Sequence, residues 1–102
     1  MKIETRNPEE NLRRFQARLA ELAPHLAPHR PNLVCLPECA FTGYVCEIQD
    51  FEKFAESIPG QTTAIITKLA QEYQVYICFG MLEKAQEGVY SSAVLVDQAG
   101  KL

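Results

Sequence analysis

Among the side chains able to do bond chemistry, one carboxylate stands apart by its setting. Glu38 follows a proline at the end of an uninterrupted apolar run, Leu33-Val34-Cys35-Leu36-Pro37-Glu38. A continuous run without alternation reads as a strand with both faces covered. Pro37 gives a ladder no N–H and holds Leu36 extended, so the strand should stop there and leave Glu38 just past its carboxyl edge. In open α/β sheets that edge is where ligands bind. A carboxylate so placed is a candidate site residue. The plain alternative is a solvated loop acid.

The thiols and imidazoles are weaker candidates. Four cysteines, Cys35, Cys39, Cys46 and Cys78, would in a small secreted protein read as a disulfide framework. Here Cys35 and Cys78 fall inside apolar runs, where cysteine acts as a small buried hydrophobe, and all four read as reduced. Cys39 adjoins Glu38, but neighbours on an extended segment point to opposite sides, so its thiol should aim away from the acid. The Cys35 and Cys39 spacing is loosely that of a zinc pair, yet no second tight pair completes a site. His25 and His29 would share a helix face only if that segment stayed helical, and Pro24, Pro28 and Pro31 interrupt it. The sequence therefore predicts no metal and no cofactor.

The elements that position Glu38 can be read from capping and periodicity. Asn7-Pro8-Glu9-Glu10 has an N-cap, a proline at the first helical position and an acid at the third. Leu12, Phe15, Leu19, Leu22 and Leu26 then follow as one apolar stripe, and the prolines should end or kink this helix between Leu22 and Ala27. After the Glu38 loop, residues 45–50 read as irregular and 51–55 as a short helix. Thr62 or Thr63 should cap a further helix carrying Ile65, Ile66, Leu69, Ala70 and Tyr73. Residues 75–82 form a second continuous apolar strand. Residues 83–88 read as a hairpin turn into a strand over 89–97, and Lys101-Leu102 as the start of another. Helix, strand, helix, strand in this order predicts an α/β fold with parallel neighbours.

Composition bounds the function classes. The chain has 102 residues, 47% apolar and 23% charged, with a net charge of -3. That is enough for one core, and too apolar for disorder. The acidic balance and the absence of a basic stripe argue against nucleic-acid or anionic-membrane binding. Arg13, Arg14 and Arg18 are interleaved with Glu9, Glu10 and Glu21 and read as a solvated helix face. No apolar run is long enough for a membrane span or forms a signal-peptide core, so the expected location is cytoplasmic.

Pro37-Glu38 with Thr42-Gly43-Tyr44 resembles the first signature of the carbon-nitrogen hydrolase (nitrilase) family. The resemblance extends from about Asn7 to Leu102 through Asn7-Pro8-Glu9-Glu10-Asn11-Leu12, Ile58-Pro59-Gly60, Val75-Tyr76-Ile77, Gly80, and Tyr90-Ser91-Ser92-Ala93-Val94-Leu95-Val96-Asp97. It implies that residues 1–102 are the amino-terminal portion of one domain, a truncated part of a four-layer α-β-β-α sandwich that pairs with a second copy through its outer helices. It also implies hydrolysis of a non-peptide carbon-nitrogen bond in a small amide, nitrile or N-carbamoyl substrate by a Glu, Lys and Cys set.

Glu38 matches the family's glutamate, which the resemblance makes the general base, and Tyr44 should either stand near the pocket mouth or pack its ring against the fold. The resemblance implies that the lysine and the nucleophilic cysteine fall beyond residue 102; Lys101 comes too early and reads as a solvated turn residue. Two departures are visible: the family's first strand is missing ahead of Asn7, and Ser91 stands where asparagine is common. The alternative expectation is a non-catalytic truncated paralogue that binds or dimerises.

Overall fold

The computed structural model describes residues 1–29, 31–45 and 47–102; Cys46 lies outside them. Its elements are α1 (Pro8–Leu22), a 3-10 turn (Ala23–His25), β1 (Leu33–Cys35), α2 (Ile48–Phe54), α3 (Gln61–Tyr73), β2 (Tyr76–Ala85) and β3 (Gly88–Val96). The strands form a sheet in the order β1-β2-β3, with β1 parallel to β2 and β2 antiparallel to β3. The α/β class and the parallel pair joined by a helical crossover are as the alternation of elements predicts.

Local signals set most boundaries. Asn7 caps α1, its side-chain oxygen accepting the Glu10 N–H at 3.3 Å. Pro24 and its neighbours end α1 at Leu22 and tighten the next three residues into the 3-10 turn that contains His25. Glu10 is bound by Arg13 at 2.5 Å and by Arg14 at 3.0 Å on the solvated face that the interleaved charges predict.

The hydrogen bond from Arg13, with Arg14 adding to it, holds the Glu10 carboxyl at about 2 against an ordinary 4.5. A depressed carboxylate stabilises the fold above its unfolded value, and the contribution is lost as pH falls through the folded one. The melting-temperature difference between the intact protein and its Glu10→Gln variant is therefore expected to be full at pH 7 and to close between about pH 4.5 and 2. A difference independent of pH would show that the ion pairs contribute nothing.

Other boundaries shift for reasons of packing. β2 runs to Ala85 and its hairpin turn is only Gln86 and Glu87, because Glu83 and Lys84 pair with Tyr90 and Val89 rather than turning. Ile48–Asp50 is already helical. α3 starts at Gln61 with Gly60 as its N-cap, and neither threonine occupies the cap. Thr63 Oγ1 instead accepts the Gly60 N–H from inside the first turn, and Glu56 takes the Thr62 N–H. Lys101 and Leu102 form no strand; Asp97 Oδ1 accepts the N–H groups of Ala99 and Lys101 and closes a turn there.

The core lies on one face of the sheet. Phe15 and Leu19 of α1 and Ile66, Leu69 and Ala70 of α3 pack on Ile77, Phe79, Met81, Val94 and Val96. Phe41, from the loop after β1, stands edge-on between Phe15 and Phe79, with centroids 5.9 and 5.5 Å away. Leu22, expected in the α1 stripe, is exposed, while Asn11 is fully buried.

The other face is bare over β1 and much of the hairpin. Leu33 is 60% exposed and Leu95 56%. The expectation that β1 is covered on both faces is therefore not met within this chain, and neither is the burial of its cysteine. Cys35 is exposed and Cys78 half-buried, because the register Cys35↔Cys78↔Leu95 places both on that bare face. No helix among the described residues is long and apolar enough to cross a membrane.

Candidate functional site

Glu38 sits where the broken apolar run puts it. The Leu36 N–H still bonds the Cys78 carbonyl at 2.8 Å, the last rung between β1 and β2, and Pro37 then turns the chain off the sheet. Residues 38–42 form a tight turn in which the Gly43 N–H reaches the Cys39 carbonyl at 2.8 Å. The turn lies against β2 at Gly80: a Cβ there would stand 2.9 Å from Glu38 Cα, so only glycine lets the two backbones approach this closely.

The carboxylate points over the hairpin. Ser91 Oγ, from β3 and 53 residues away in sequence, donates to Glu38 Oε1 at 2.8 Å. Leu36, Glu38, Cys78, Gly80, Ser91 and Ala93 line an open concavity on the bare sheet face. Glu38 is exposed, not buried, because that face carries no second layer in this chain. The departure from asparagine at Ser91 thus leaves a donor that reaches the acid.

The turn is also fastened at its far end, at Phe41 and Thr42. The Arg6 N–H donates to the Thr42 carbonyl at 2.8 Å, and Asn11 Nδ2 donates to the Phe41 carbonyl at 2.9 Å. The Arg6 guanidinium meets Asp50 of α2, with Nε–Oδ2 at 2.9 Å, and this hydrogen bond is the main cause that holds the Asp50 carboxyl below its usual range. Gly43, at φ +74, packs against Thr5 and could carry no side chain without strain.

Cys39 does not sit on an extended segment as expected. It adopts φ +53 within the turn and is buried. Burial first, then the Glu38 charge, push its thiol up, against a smaller opposing effect of Thr42, so its environment disfavours the thiolate that a nucleophile needs. Cys35 lies on the bare sheet face and does not converge with it. Among the described residues no group of three or more His, Cys, Asp or Glu side chains is arranged to hold a metal. His25 and His29 are exposed outside α1. Tyr44 is 70% exposed just beyond Gly43, so its ring has no packing role in this chain. Lys101 is exposed in its turn.

The carbon-nitrogen hydrolase family model matches residues 1–102, the whole chain. The chain belongs to the carbon-nitrogen hydrolase family. It is 42% identical over 72 residues to a nitrilase of Pyrococcus abyssi, an alignment covering 68% of this chain and 27% of the relative. It is 29% identical over 86 residues to the omega-amidase NIT2 of Mus musculus, covering 83% of this chain and 30% of that protein.

Among solved structures, XC1258 from Xanthomonas campestris, a CN-hydrolase superfamily protein, superposes with a TM-score of 0.80 at 24% identity, over 97% of this chain and 34% of its own. That likeness shows a shared fold. The chain spans about a third or less of each of these relatives, so it is truncated relative to them and corresponds to the amino-terminal part of a carbon-nitrogen hydrolase domain.

Sequence reasoning placed Glu38 at the end of a strand and missed what holds it there. Asn11 was in view, in line with Phe15 and Leu19 at spacings of four on the buried side of α1, a pattern that marks an inward position whatever the residue type. The Ser91 and Arg6 contacts carry no comparable local signal.

Proposed function

We propose that the protein carrying this chain hydrolyses a non-peptide carbon-nitrogen bond in a small amide, nitrile or N-carbamoyl substrate, with Glu38 as general base. One observation carries the reading. In a chain that matches the family model throughout, the acid of the Pro37-Glu38 signature stands past the carboxyl end of β1, faces an open concavity and is held by a hydrogen bond from Ser91. A carboxylate fixed on one oxygen keeps the other for the reaction.

In this scheme Glu38 removes the proton from a cysteine thiol, the thiolate attacks the substrate carbon, and a lysine cation stabilises the oxyanion that forms. With an amide or N-carbamoyl substrate the leaving amine takes that proton back from Glu38 and a thioester remains. With a nitrile the attack gives a thioimidate, to which water adds with loss of ammonia to give the same thioester. Glu38 then takes a proton from the water that hydrolyses it as the thiol re-forms. The family resemblance puts that lysine and cysteine beyond residue 102, so these 102 residues alone are assigned no activity. Tyr44 is assigned to the rim of the pocket. The same reading carries a cytoplasmic protein that self-associates through its outer helices, which size-exclusion chromatography with light scattering would check.

The direct test is ammonia release by the intact protein from succinamate, a dicarboxylic acid monoamide, and from a panel of simple amides, nitriles and N-carbamoyl amino acids. Activity abolished by prior iodoacetamide treatment is expected; no turnover on any of the three classes would sink the reading. Ser91→Ala removes the donor to Glu38 Oε1 while leaving the strand intact. It is expected to lower kcat/KM by about tenfold, the scale of one hydrogen bond to a charged group, and unchanged kinetics would mean that the contact does not orient the acid.

A further inference from the structure

Asn11 occupies a position that packing alone would give to leucine. It lies in the first turns of α1 in line with Phe15 and Leu19, and it is 0% exposed. A buried amide is tolerated only when its donors and acceptor are matched, and here all are used. Its Oδ1 accepts the Glu4 N–H at 2.7 Å, and its Nδ2 donates to the Glu4 carbonyl at 2.7 Å and to the Phe41 carbonyl at 2.9 Å. The first two bonds hold the segment ahead of α1 in the manner of a strand partner. The third goes to the turn that carries the acid.

We propose that Asn11 is a positioning residue for Glu38, acting through the Phe41 carbonyl; the inference rests on the reading of Glu38 as the base. Phe41 follows Glu38 by three residues in a turn closed by the Gly43 N–H on the Cys39 carbonyl. Glu38 itself meets Gly80 on one side and Ser91 at its carboxylate. A turn this short, pinned by Asn11 at one end and backed by β2 at the other, has little freedom left. The Phe41 ring fixes the depth of the turn in the core, and the Asn11 bond fixes its rotation about that ring, which decides whether the Glu38 carboxylate lies over Ser91.

The test uses two variants of the intact protein. Asn11→Asp replaces Nδ2 with an oxygen of similar size, so an acceptor faces the carbonyls of Glu4 and Phe41. Asn11→Ser shortens the side chain and loses the reach to Phe41. The proposal expects both to fold, since Phe15 and Leu19 still anchor α1. In their crystal structures the Ser91 Oγ to Glu38 Oε1 contact, 2.8 Å here, should open beyond hydrogen-bond range.

With succinamate as probe, kcat should fall about tenfold or more with KM within about threefold, because a misplaced base affects the transition state and not substrate binding. A retained contact with unchanged kcat would overturn the proposal. Failure of both variants to fold would do so as well, by assigning Asn11 to stability alone. Glu38→Gln separates the two ideas: if it keeps full turnover the base reading falls, while the Ser91 contact in the Asn11 variants still decides what Asn11 positions.

Discussion

Glu38→Gln in the intact protein is expected to cut kcat by about 10²- to 10⁴-fold, the range that a positioned general base supplies. The substitution is close to isosteric. The amide carbonyl can still accept the hydrogen bond that Ser91 Oγ now gives to Glu38 Oε1, and the turn backed on Gly80 gains no bulk. Glutamine cannot, however, take a proton from a thiol. Because Glu38 is exposed and its neighbours keep their partners, the melting temperature should hardly move, as for other surface substitutions within about 0.5 kcal/mol. Steady-state kinetics beside a thermal melt read both quantities on one preparation. Wild-type turnover in a folded Gln variant would remove Glu38 from the mechanism.

Gly80→Val should show the opposite combination, a loss of stability together with activity. A Cβ at this position stands 2.9 Å from Glu38 Cα and 3.4 Å from both Cys39 N and Glu38 Cγ. The closest atom is backbone, so no side-chain rotation relieves the clash. β2 cannot retreat easily either, because it is hydrogen-bonded to β1 on one side and β3 on the other, and the flanking Phe79 and Met81 are buried in the core. The acid-bearing turn must lift.

Overpacking of this kind costs about 1–3 kcal/mol. A shift of about 1 Å at a catalytic group can cost about 10²-fold in rate. Denaturant unfolding and kcat on the same variant provide the check. Stability and turnover both at wild-type values would mean that the contact at Gly80 does not set the height of Glu38.

What could be read without coordinates was local. Asn7 as cap, Pro8 at the first helical position and the prolines after Leu22 fix the two ends of α1 within a few residues of themselves, so their effect survives in any context that allows a helix. The apolar run ending at Pro37 placed Glu38 at a strand's carboxyl end for the same reason, since a missing N–H and a restricted φ are properties of the proline and not of its surroundings. The continuous apolar stretch before the hairpin marked β2, and the Pro37-Glu38 and Thr42-Gly43-Tyr44 pattern marked the family.

Burial and partnership were decided by the tertiary structure. Cys39 was expected on an extended segment because nothing in its neighbours announces a residue at φ +53, a conformation set by the closing bond from Gly43 to its carbonyl. Cys35 and Leu33 were expected to be covered, and they are open, because coverage depends on which layers pack on a sheet and not on how apolar a strand is. The contact between Ser91 and Glu38 depends on the register of β2 against β3, which a two-residue turn at Gln86 and Glu87 sets; a slip of one residue would send Ser91 to the other face. The sequence by itself determined where the acid lies along the chain, through short-range backbone constraints. Which groups hold it, Gly80, Ser91, Arg6 through Thr42 and Asn11 through Phe41, was settled only when segments far apart in sequence were brought into one register and one core.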